Sequence, residues 1–260
     1  MANSALILVT NDDGVYAPAL KALAVALQEV GRVVVVAPDR DNSAASHSLT
    51  MQRPLRVKEL AVDRYSVDGT PTDCVTLAVG KVLARMPDLV VSGINPGPNL
   101  CDDVSYSGTV SAATEGTMLG IPSFAVSLVC EEPCNYNLAA QFGARLARMI
   151  LNQGLPPDTL LNVNVPPGEA SAITGIKFTR QGRRKYEDAI KETNDPWGQG
   201  HYWIGGGTPV WDEGENTDAQ AVKEGYISIT PLHLDRTNYG ALDYLSKGWA
   251  DPLRNDEAEK

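Results

Sequence analysis

Runs of consecutive apolar residues, followed by helical patterns, are the feature that most constrains how this chain can fold. Residues 5–9 (ALILV) and 32–38 (RVVVVAP) show no polar alternation, which is typical of strands covered on both faces in a parallel sheet. Between them, apolar residues recur at helical spacing from Pro18, suited to a first helical turn, to Gly31, a candidate C-cap. Because neighbouring parallel strands need a right-handed crossover, this unit predicts an α/β fold.

The same succession of strands and helices continues to about residue 170. The further predicted core strands are 87–93, 122–128 and 159–166. The further predicted helices are 70–84, 108–119 and 137–154. Residues 49–68, around Pro54, are expected to form two antiparallel or edge strands. We therefore predict a doubly wound α/β core with a mostly parallel sheet over residues 1–170.

From about residue 171 the pattern changes to strand-like pieces in long loops, with no predicted helices between them. The pieces are GIKFTRQG (175–182), HYWIGGG (201–207) and GYISITP (225–231), and a frayed tail is expected at 255–260. Their edges, together with the aromatic residues at 202–204 and Trp211, lack an obvious cover within one subunit. We divide one overall domain into a core (1–170) carrying the site and a C-terminal β-hairpin or arm extension (171–260) for oligomerisation, and expect an obligate dimer.

Charge and hydropathy exclude several classes of protein. The net charge of -10 argues against a nucleic-acid polymer as partner. An anionic substrate would need local positive charge, which a metal ion or a helix N-terminus can supply. No apolar run reaches the roughly 18 residues of a membrane span. The apolar run near the N-terminus breaks at Asn11 and has no charged segment before it, so we expect a cytoplasmic protein without membrane contact.

The four cysteines do not indicate a dense disulfide framework in a chain of this size. Cys130 and Cys134 are four positions apart, but no further Cys or His pair lies nearby to complete a zinc site. We therefore expect reduced, partly buried thiols.

Three polar segments directly follow predicted core strands. They are TNDDG after the first strand, PDRDNSAASHS after the second and SGINPGPNLCDDVSYSGT after the third. Ligands of open parallel sheets bind beyond the carboxyl ends of the strands, so these segments should converge on one edge and form the site.

The adjacent carboxylates of Asp12 and Asp13 are the first candidate site. Together they offer up to four anionic oxygens, and hydroxyl and amide oxygens are available from the neighbouring loops. Oxygen ligation suits Mg²⁺ or Mn²⁺ better than zinc. The alternative is that these residues merely cap the helix that begins near Pro18, although two carboxylates plus Asn11 exceed what a cap needs.

The segment Ser107-Gly108-Thr109 is the second candidate site, because it stands at the start of a predicted helix. Backbone N–H groups and hydroxyls there can bind an anion, and glycine permits its close approach. The alternative is an ordinary N-cap, since Ser and Thr are common in that position. The two candidate sites together suggest a phosphate held between a metal ion and a helix N-terminus.

Other catalytic motifs are missing from the sequence. It contains no G-x-G-x-x-G after the first strand, no G-x-x-x-x-G-K-[ST] and no G-x-S-x-G. His47 lies in one of the three candidate loops and either acts on protons or is simply a polar loop residue. Asp102 and Asp103 are expected to serve loop hydrogen bonding rather than a second metal ion.

With these residues in view, the chain closely resembles the SurE family, the survival-protein nucleotidases. The matching segments are TNDDGVYAP, APDRDNSAASHSLT, DGTPTDCVTLAV, PDLVVSGINPGPNLCDDVSYSGTVSAATEG, IPSFAVS and EGYISITPLHLD. They extend from residue 10 to about 235, in the order in which the family has them. The resemblance implies a Rossmann-like fold and hydrolysis of nucleoside monophosphates, with 3′-nucleotides and short polyphosphate as further possible substrates.

The resemblance also implies a ligand set. One divalent ion per subunit, Mg²⁺ or Mn²⁺, is expected on Asp12, Asp13, Ser43 and Asn99. Phosphate contacts are expected from Asn99 and the Ser107-Gly108-Thr109 turn, with Asn11 as a further substrate-binding candidate. In this scheme Asp12 and Asp13 are the catalytic residues, attack is by metal-activated water, and C-terminal segments embrace a partner in a homodimer or homotetramer.

One loop departs from the commoner PDRNRSGASNS form of the family. The chain has Asp41-Asn42 where Asn-Arg is usual, Ala44 for Gly and His47 for Asn, whereas Ser43 is retained. Loss of a positive charge at position 42 affects the expected substrate preference rather than the chemistry.

The hypothesis that competes with an enzyme is a metal- and nucleotide-binding module without turnover, used as a sensor or in assembly.

Overall fold

The computed structural model describes residues 4–130, 133–186, 190–204, 209–211, 214–249 and 253. Within these ranges, nine strands form one central sheet and four form two small two-stranded sheets. The strands in chain order are β1 (Leu6–Thr10), β2 (Arg32–Pro38), β3 (Val57–Ala61), β4 (Arg64–Val67), β5 (Leu89–Pro96), β6 (Ser123–Leu128), β7 (Thr159–Val165), β8 (Gly175–Phe178), β9 (Arg184–Tyr186), β10 (Ile190–Asn194), β11 (Gly200–Ile204), β12 (Pro209–Trp211) and β13 (Tyr226–His233).

Within the described ranges, five α-helices connect successive strands and a sixth follows β13. They are α1 (Pro18–Leu27), α2 (Pro71–Leu77), α3 (Gly108–Met118), α4 (Asn137–Gln153), α5 (Asp218–Lys223) and α6 (Tyr239–Gly248). Short 3₁₀ turns occur at Cys101–Ser105 and Ala170–Ala172. None of the helices in the described ranges is long and apolar enough to cross a membrane.

The strand order of the central sheet is β3-β4-β2-β1-β5-β6-β7-β13-β8. All neighbours from β4 to β7 are parallel, whereas β3 runs antiparallel to β4 and β13 runs antiparallel to β7. The chain moves outward in opposite directions on the two sides of β1, which makes the β1–β5 junction the switch point where such sheets form ligand crevices. The predicted doubly wound, mostly parallel α/β fold is confirmed.

Strand β1 explains why the apolar runs lack polar alternation. Ile7 and Val9 join the apolar cluster that includes α1 and α4, whereas Leu6 and Leu8 join the cluster that includes α2 and α3. Successive side chains of a strand point to opposite faces, so a sheet with helices on both faces requires apolar residues at every position. All of β1 is buried, and it brings the site segment that follows it to the middle of the sheet.

Two strands from the predicted C-terminal extension belong to the central sheet. β13 pairs with β7, and β8 pairs with β13 at the sheet edge, so the core continues beyond residue 170. Helix α5 lies between two of the predicted strand-like pieces, so the expectation of no helices between them is wrong, whereas α6 follows the last piece. Helix α5 has only six residues, too few for its apolar period to stand out from the neighbouring loops.

Two elements nearer the N-terminus are shorter than predicted. The helix expected at 70–84 is α-helical only through α2 and then continues as a π-helix over Ala78–Val82. Of the edge region at 49–68, only β3 and β4 are strands, and they form an antiparallel hairpin at the sheet edge. Residues around Pro54 precede this hairpin without regular structure, because proline cannot donate a ladder hydrogen bond.

The cysteines differ from expectation in one pair. Cys130 and Cys134 form a disulfide, so the prediction of reduced thiols throughout is wrong for these two. Their Cα atoms lie 5.7 Å apart, which is within the range that a disulfide bridges. Cys74 and Cys101 are free and buried, as predicted.

Two elements of the C-terminal third expose apolar side chains, and together we call them the arm. The first is the hairpin of β10 and β11, in which every residue is exposed, Ile204 to 91%. The second is α6, which buries no residue although it carries Tyr239, Leu242, Tyr244 and Leu245.

Trp211 behaves differently from the arm. It is partly buried against Leu100, Cys101 and Ala219, so the expectation that it lacks a local cover is wrong. The glycine run at 205–207 and the frayed tail predicted at 255–260 lie outside the described residues.

Candidate functional site

The segment after β1 turns sharply at the carboxyl edge of the sheet. The side-chain Nδ2 of Asn11 donates a hydrogen bond to the carbonyl of Gly14 at 3.1 Å and closes the turn. Gly14 has φ +102°, and a Cβ there would lie 3.1 Å from the Arg40 carbonyl. Glycine therefore allows this turn to pack directly against the start of the second candidate loop.

Asp12 faces the N-terminus of α3. It is 4% exposed and accepts hydrogen bonds from the backbone N–H of Thr109, at 3.0 Å, and from the Thr109 hydroxyl. The N-cap of α1 is Ala17, which makes no side-chain capping bond. The alternative reading of the acidic pair as a cap for α1 is therefore wrong, and the carboxylate instead joins the two predicted sites.

Gly108 permits this contact between strand and helix. A Cβ at Gly108 would lie 2.8 Å from the Cβ of Asp12, which is closer than side-chain carbons approach, and 3.2 Å from the Cγ of Pro71, which is a tight contact. The preceding Ser107 is the N-cap of α3, and its Oγ accepts the N–H of Val110 at 3.1 Å. The predicted turn is thus both an ordinary cap and a close neighbour of the acidic pair.

Electrostatics at the acidic pair favour a cation. Burial, opposed by the hydrogen bonds from Thr109, raises the pKa of Asp12 above its usual range. Burial and then the charges of Asp12 and Asp41 raise the pKa of Asp13 to about 7. The neighbouring charges are thus of the same sign, and a positive ion near the pair would return both pKa values towards normal.

Unpaired oxygens around the pair match the donor set of a hard cation. In the described part of the chain, four buried oxygens at the end of β1, in the turn after it and in the middle of β5 have no hydrogen-bond partner, namely Thr10 Oγ1, Asn11 Oδ1, Asp13 Oδ2 and Ser92 Oγ. Thr10 and Ser92 are directly paired across the two strands. Carboxylate, amide and hydroxyl oxygens are the ligands that Mg²⁺ and Mn²⁺ prefer, so these residues fit such an ion.

The loop that carries Ser43 lies against the acidic pair through its backbone. The N–H of Asn42 donates to the carbonyl of Asp12 at 2.8 Å. Ser43 itself is exposed, and both its N–H and its hydroxyl donate to Asp41 Oδ1, at 2.8 and 2.6 Å. The hydroxyl of this predicted ligand therefore contacts Asp41, a residue that sequence reasoning did not assign to the site although it is a third carboxylate beside Asp12 and Asp13.

Asn99 is buried at the edge and held by polar side chains of two core strands. Its backbone carbonyl accepts hydrogen bonds from Asn162 and Asn164, and its N–H donates to Asn164. Its side-chain Nδ2 donates to Ser127 Oγ at 2.8 Å, which leaves Oδ1 as the amide atom available to a ligand. Sequence reasoning missed these three supports, whose signal is a polar residue within the apolar runs SFAVSL and TLLNVNV.

The segment after Asn99 is fastened to the distant helix α5. The Asp218 carboxylate, fully buried, accepts the backbone N–H groups of Cys101 and Gly182, each at 2.9 Å. The backbone position of the Asn99 loop therefore depends on a carboxylate from the last quarter of the chain. A buried carboxylate satisfied by backbone donors is a stable anchor for a loop.

The remaining acidic and histidine candidates form hydrogen bonds or ion pairs with other side chains and backbone groups. Asp102 accepts the N–H of Arg184 and Asp103 forms an ion pair with the Arg184 guanidinium, which agrees with the expected hydrogen-bonding role. His47 binds Glu115 of α3 through Nε2 at 2.9 Å. Among the described residues, no three or more His, Cys, Asp and Glu side chains cluster in a way that could hold a metal ion, so an ion at the acidic pair would also need the amide and hydroxyl oxygens.

Fold and site together define a class of protein. It is a doubly wound α/β protein in which a buried, oxygen-rich acidic site meets a helix N-terminus at the switch point, an arrangement suited to metal-dependent phosphate chemistry.

Comparison with known proteins narrows this class. The family model described as Survival protein SurE matches residues 7–188. A protein of Geobacter sulfurreducens named 5'-nucleotidase SurE is 56% identical over 240 residues, which cover 92% of each chain. One of the same name from Geobacter metallireducens is 54% identical, covering 94% of this chain and 96% of its own. The crystal structure of the SurE protein from Aquifex aeolicus has a TM-score of 0.82 and 46% identity, covering 93% of this chain and 98% of its own. The chain belongs to the SurE family.

Proposed function

We propose that this chain is a metal-dependent 5′-nucleotidase that hydrolyses nucleoside monophosphates. The observation that carries the proposal is the contact between Asp12 and Thr109, which joins an acidic, cation-seeking pair to the N-terminus of a helix. The names of relatives at 56% and 54% identity support a nucleotidase and give no support to a binding module without turnover.

The ion-binding residues in this proposal are Asp12, Asp13, Asn99 and Ser43. SurE-family nucleotidases are metal-dependent enzymes, and we propose one Mg²⁺ or Mn²⁺ ion per subunit. When bound, such an ion supplies Lewis-acid polarisation of the phosphoryl group and lowers the pKa of water. Asn99 is oriented with Oδ1 free, whereas the Ser43 hydroxyl would have to leave Asp41 before it could reach an ion.

The start of α3 is the proposed phosphate site. The N–H of Gly108, at the first position of the helix, has no acceptor within the helix, and the Ser107 hydroxyl keeps its proton for donation. Thr109 already donates to Asp12, so its role is to hold that carboxylate in place beside the phosphate. Negative charge that develops on the phosphoryl oxygens is stabilised by these donors and by the helix dipole.

The carboxylates of Asp12 and Asp13 have different roles in this proposal. Asp12 is committed to Thr109 through both oxygens, which fixes its orientation. Asp13 has a buried, unpartnered Oδ2 and is the carboxylate that can accept a proton from the attacking water. Asn11 closes the turn through Nδ2 and leaves Oδ1 facing the same region, which supports a contact with substrate or its water shell.

Assembly and location are part of the proposal. The exposed apolar face of the arm supports a homodimer or homotetramer in which the arm packs against a second copy. A cytoplasmic location stays a prediction, to be checked by cell fractionation.

The test is phosphate release from a panel of 5′- and 3′-nucleoside monophosphates, with Mn²⁺, Mg²⁺ or a chelator. Rapid release from 5′-nucleotides that the chelator stops is the expected result. Tight nucleotide and Mn²⁺ binding without phosphate release from any member of the panel would contradict the proposal and favour the sensor hypothesis.

A further inference from the structure

The Ser43 loop, which we define as residues 39–50, is a largely exposed segment held by hydrogen bonds along its length, including those from Thr50 to the Asp73 carboxylate at its end. Asn42 donates its N–H to the Asp12 carbonyl. Ser46 donates its N–H to the Tyr106 carbonyl at 3.1 Å and its hydroxyl to the Ser105 carbonyl at 2.8 Å. These bonds fasten the loop to the end of β1 and to the 3₁₀ turn that precedes α3.

The conformation of the loop is one that its sequence does not favour. Ala44 has φ +58° and Ser46 has φ +54°, although neither is a glycine. A non-glycine residue in the left-handed region costs roughly 1 kcal/mol or more, so contacts elsewhere must hold the loop in this shape.

His47 supplies a side-chain contact of this kind. Its Nε2 lies 2.9 Å from Glu115 Oε2, and the other oxygen of Glu115 accepts the hydroxyl of Thr76 in α2 at 3.0 Å. The His47 and Glu115 side chains are 27% and 11% exposed, so the pair is mostly shielded from water. A shielded bond of this type is worth more than an exposed one.

The protonation state of Glu115 determines which of the two residues donates the hydrogen bond between His47 and Glu115. The bond from His47, opposed by partial burial, lowers the pKa of Glu115, which is therefore a carboxylate at neutral pH. A carboxylate only accepts, so Nε2 of His47 carries the proton and donates.

Helix α3 connects this bond to the site. Glu115 lies six residues after Thr109, about 9 Å along a helix with a rise of about 1.5 Å per residue. One rigid element therefore carries the partner of Asp12, the phosphate-binding N-terminus and the acceptor of His47. At the other end of this hydrogen bond, His47 lies four residues after Ser43 in the loop.

We propose that His47 is a positioning residue that fastens the Ser43 loop to α3 and thereby sets the affinity of the site for its divalent ion and phosphate substrate. The inference rests on the proposed function and assigns a regulating contact to the same site. It does not make His47 a catalytic residue, because His47 acts through the loop and not on the reacting atoms.

The experiment compares His47→Ala, His47→Gln and Glu115→Gln with two neighbouring controls, Ser48→Ala in the loop and Thr114→Ala in α3. The control hydroxyls bond only to local carbonyls, of Ala45 and Val110. Calorimetric titration with Mn²⁺ alone should show about tenfold weaker binding for His47→Ala, the usual scale for residues that orient metal ligands. His47→Gln, which keeps an N–H donor, should recover most of the affinity, and both controls should bind Mn²⁺ as the wild type does.

Kinetics separate positioning from general damage. For His47→Ala, KM should rise about tenfold while kcat at saturating Mn²⁺ changes less than about twofold, because the lost contact does not touch the reacting atoms. The double variant His47→Ala/Glu115→Gln should have the same KM and Mn²⁺ affinity as the more impaired of the two single variants, because both substitutions act on the same hydrogen bond. Wild-type KM and Mn²⁺ affinity in His47→Ala, or an equal loss in Ser48→Ala, would overturn the proposal.

Hydrogen exchange tests the fastening independently of turnover. Amides of residues 39–50 should exchange faster in His47→Ala than in the wild type, whereas those of β7 should not change. If the amides of residues 39–50 exchange at the same rate in His47→Ala as in the wild type, His47 does not fasten the loop, whether or not the protein is an active nucleotidase. Absence of phosphate release by a wild-type protein whose loop does respond would contradict the proposed function instead.

Discussion

The carboxyl edge of the sheet and the arm are opposite exceptions to the usual pattern of burial, because the edge buries charged groups and the arm exposes apolar side chains. At the edge, Asp12 is 4% exposed and lies beside a second carboxylate, whereas in the arm Ile204 is 91% exposed. The edge is nevertheless fixed by its own chain, through hydrogen bonds to Thr109, and its unmet requirement is positive charge. Among the described residues, the two strands of the arm hairpin pair only with each other, and the hairpin's unmet requirement is an apolar cover. Buried like charges therefore indicate an ion, whereas exposed apolar surface indicates a second protein surface.

The strongest test of the comparison is to change the edge without touching the arm. Asp12→Asn and Asp13→Asn keep side-chain size but each removes one charge of the proposed ion site, so turnover should fall by about a thousandfold or more. Circular dichroism and the solution mass should match the wild type. Either variant with near-normal turnover at saturating Mn²⁺ would show that the ligand assignment is wrong.

The reciprocal test changes the arm without touching the edge. Ile204 lies opposite Ile190 on one face of the hairpin, and Tyr202 shares that face. Ile204→Lys should weaken self-association by about a hundredfold or more, because it places a charge in an apolar interface. Sedimentation at low micromolar concentration measures this shift.

The matched control for the arm is Thr193→Lys, which adds the same charge to the opposite face, where Thr193 pairs with His201. It should leave the mass unchanged. A wild-type chain that is monomeric and fully active would refute the role given to the arm.

A smaller effect is expected from the neutral oxygens of the edge. Ser43→Ala and Asn99→Ala should raise the Mn²⁺ concentration required for half-maximal activity by roughly tenfold, because neutral donors hold a hard cation less strongly than carboxylates do. Asn99→Ala should also raise KM for the nucleotide. Asn42→Ala is the control, since its side chain bonds only to the Arg40 carbonyl. Metal titrations that coincide with the wild type in both variants would remove these residues from the ion site.

A separate effect, independent of turnover, is expected on the stability of the metal-free protein. The pKa of Asp13 is raised from 3.8 to about 7, so between these values the folded state binds more protons than the unfolded state. Stability therefore falls as pH rises through this window, by about 2 kcal/mol after allowance for partial exposure, and Asp13→Asn should lack most of this loss.

Urea unfolding in chelator at pH 4 and pH 8 measures the difference. Saturating Mn²⁺ should restore stability to the wild type at pH 8, because an ion that binds only the folded state stabilises it. Parallel pH profiles of the wild type and Asp13→Asn would show that repulsion at the edge is not significant.

The parts of the fold that were predictable are those encoded by local pattern. The apolar run of β1 and the helical spacing after Pro18 required a covered parallel strand and a crossover, and both are present. The acidic pair was recognisable as a candidate site because it follows a core strand. These inferences need only the neighbouring residues in the chain and the geometry of a strand or helix.

The parts that were not predictable depend on contacts between distant segments. Nothing in the sequence near Asn99 indicates that Asn162 and Asn164 support it, because the register of β7 against that loop arises from the whole sheet. The position of β13 between β7 and β8 is likewise a matter of sheet assembly. The Cys130–Cys134 disulfide depends on the distance between the two Cα atoms, which the spacing in sequence alone does not give.

The anchoring of the Asn99 loop by Asp218 has a consequence for how the protein is made. The two ends of the bond between Cys101 and Asp218 are 117 residues apart, so at ribosomal rates of about 5–20 residues per second the loop emerges about ten seconds before its anchor. Until then β13 is also missing, and β7 has an open edge on that side. Nascent chains should therefore acquire the ability to bind nucleotide only near the end of translation. In that interval the unfinished sheet edge is the surface most in need of a chaperone.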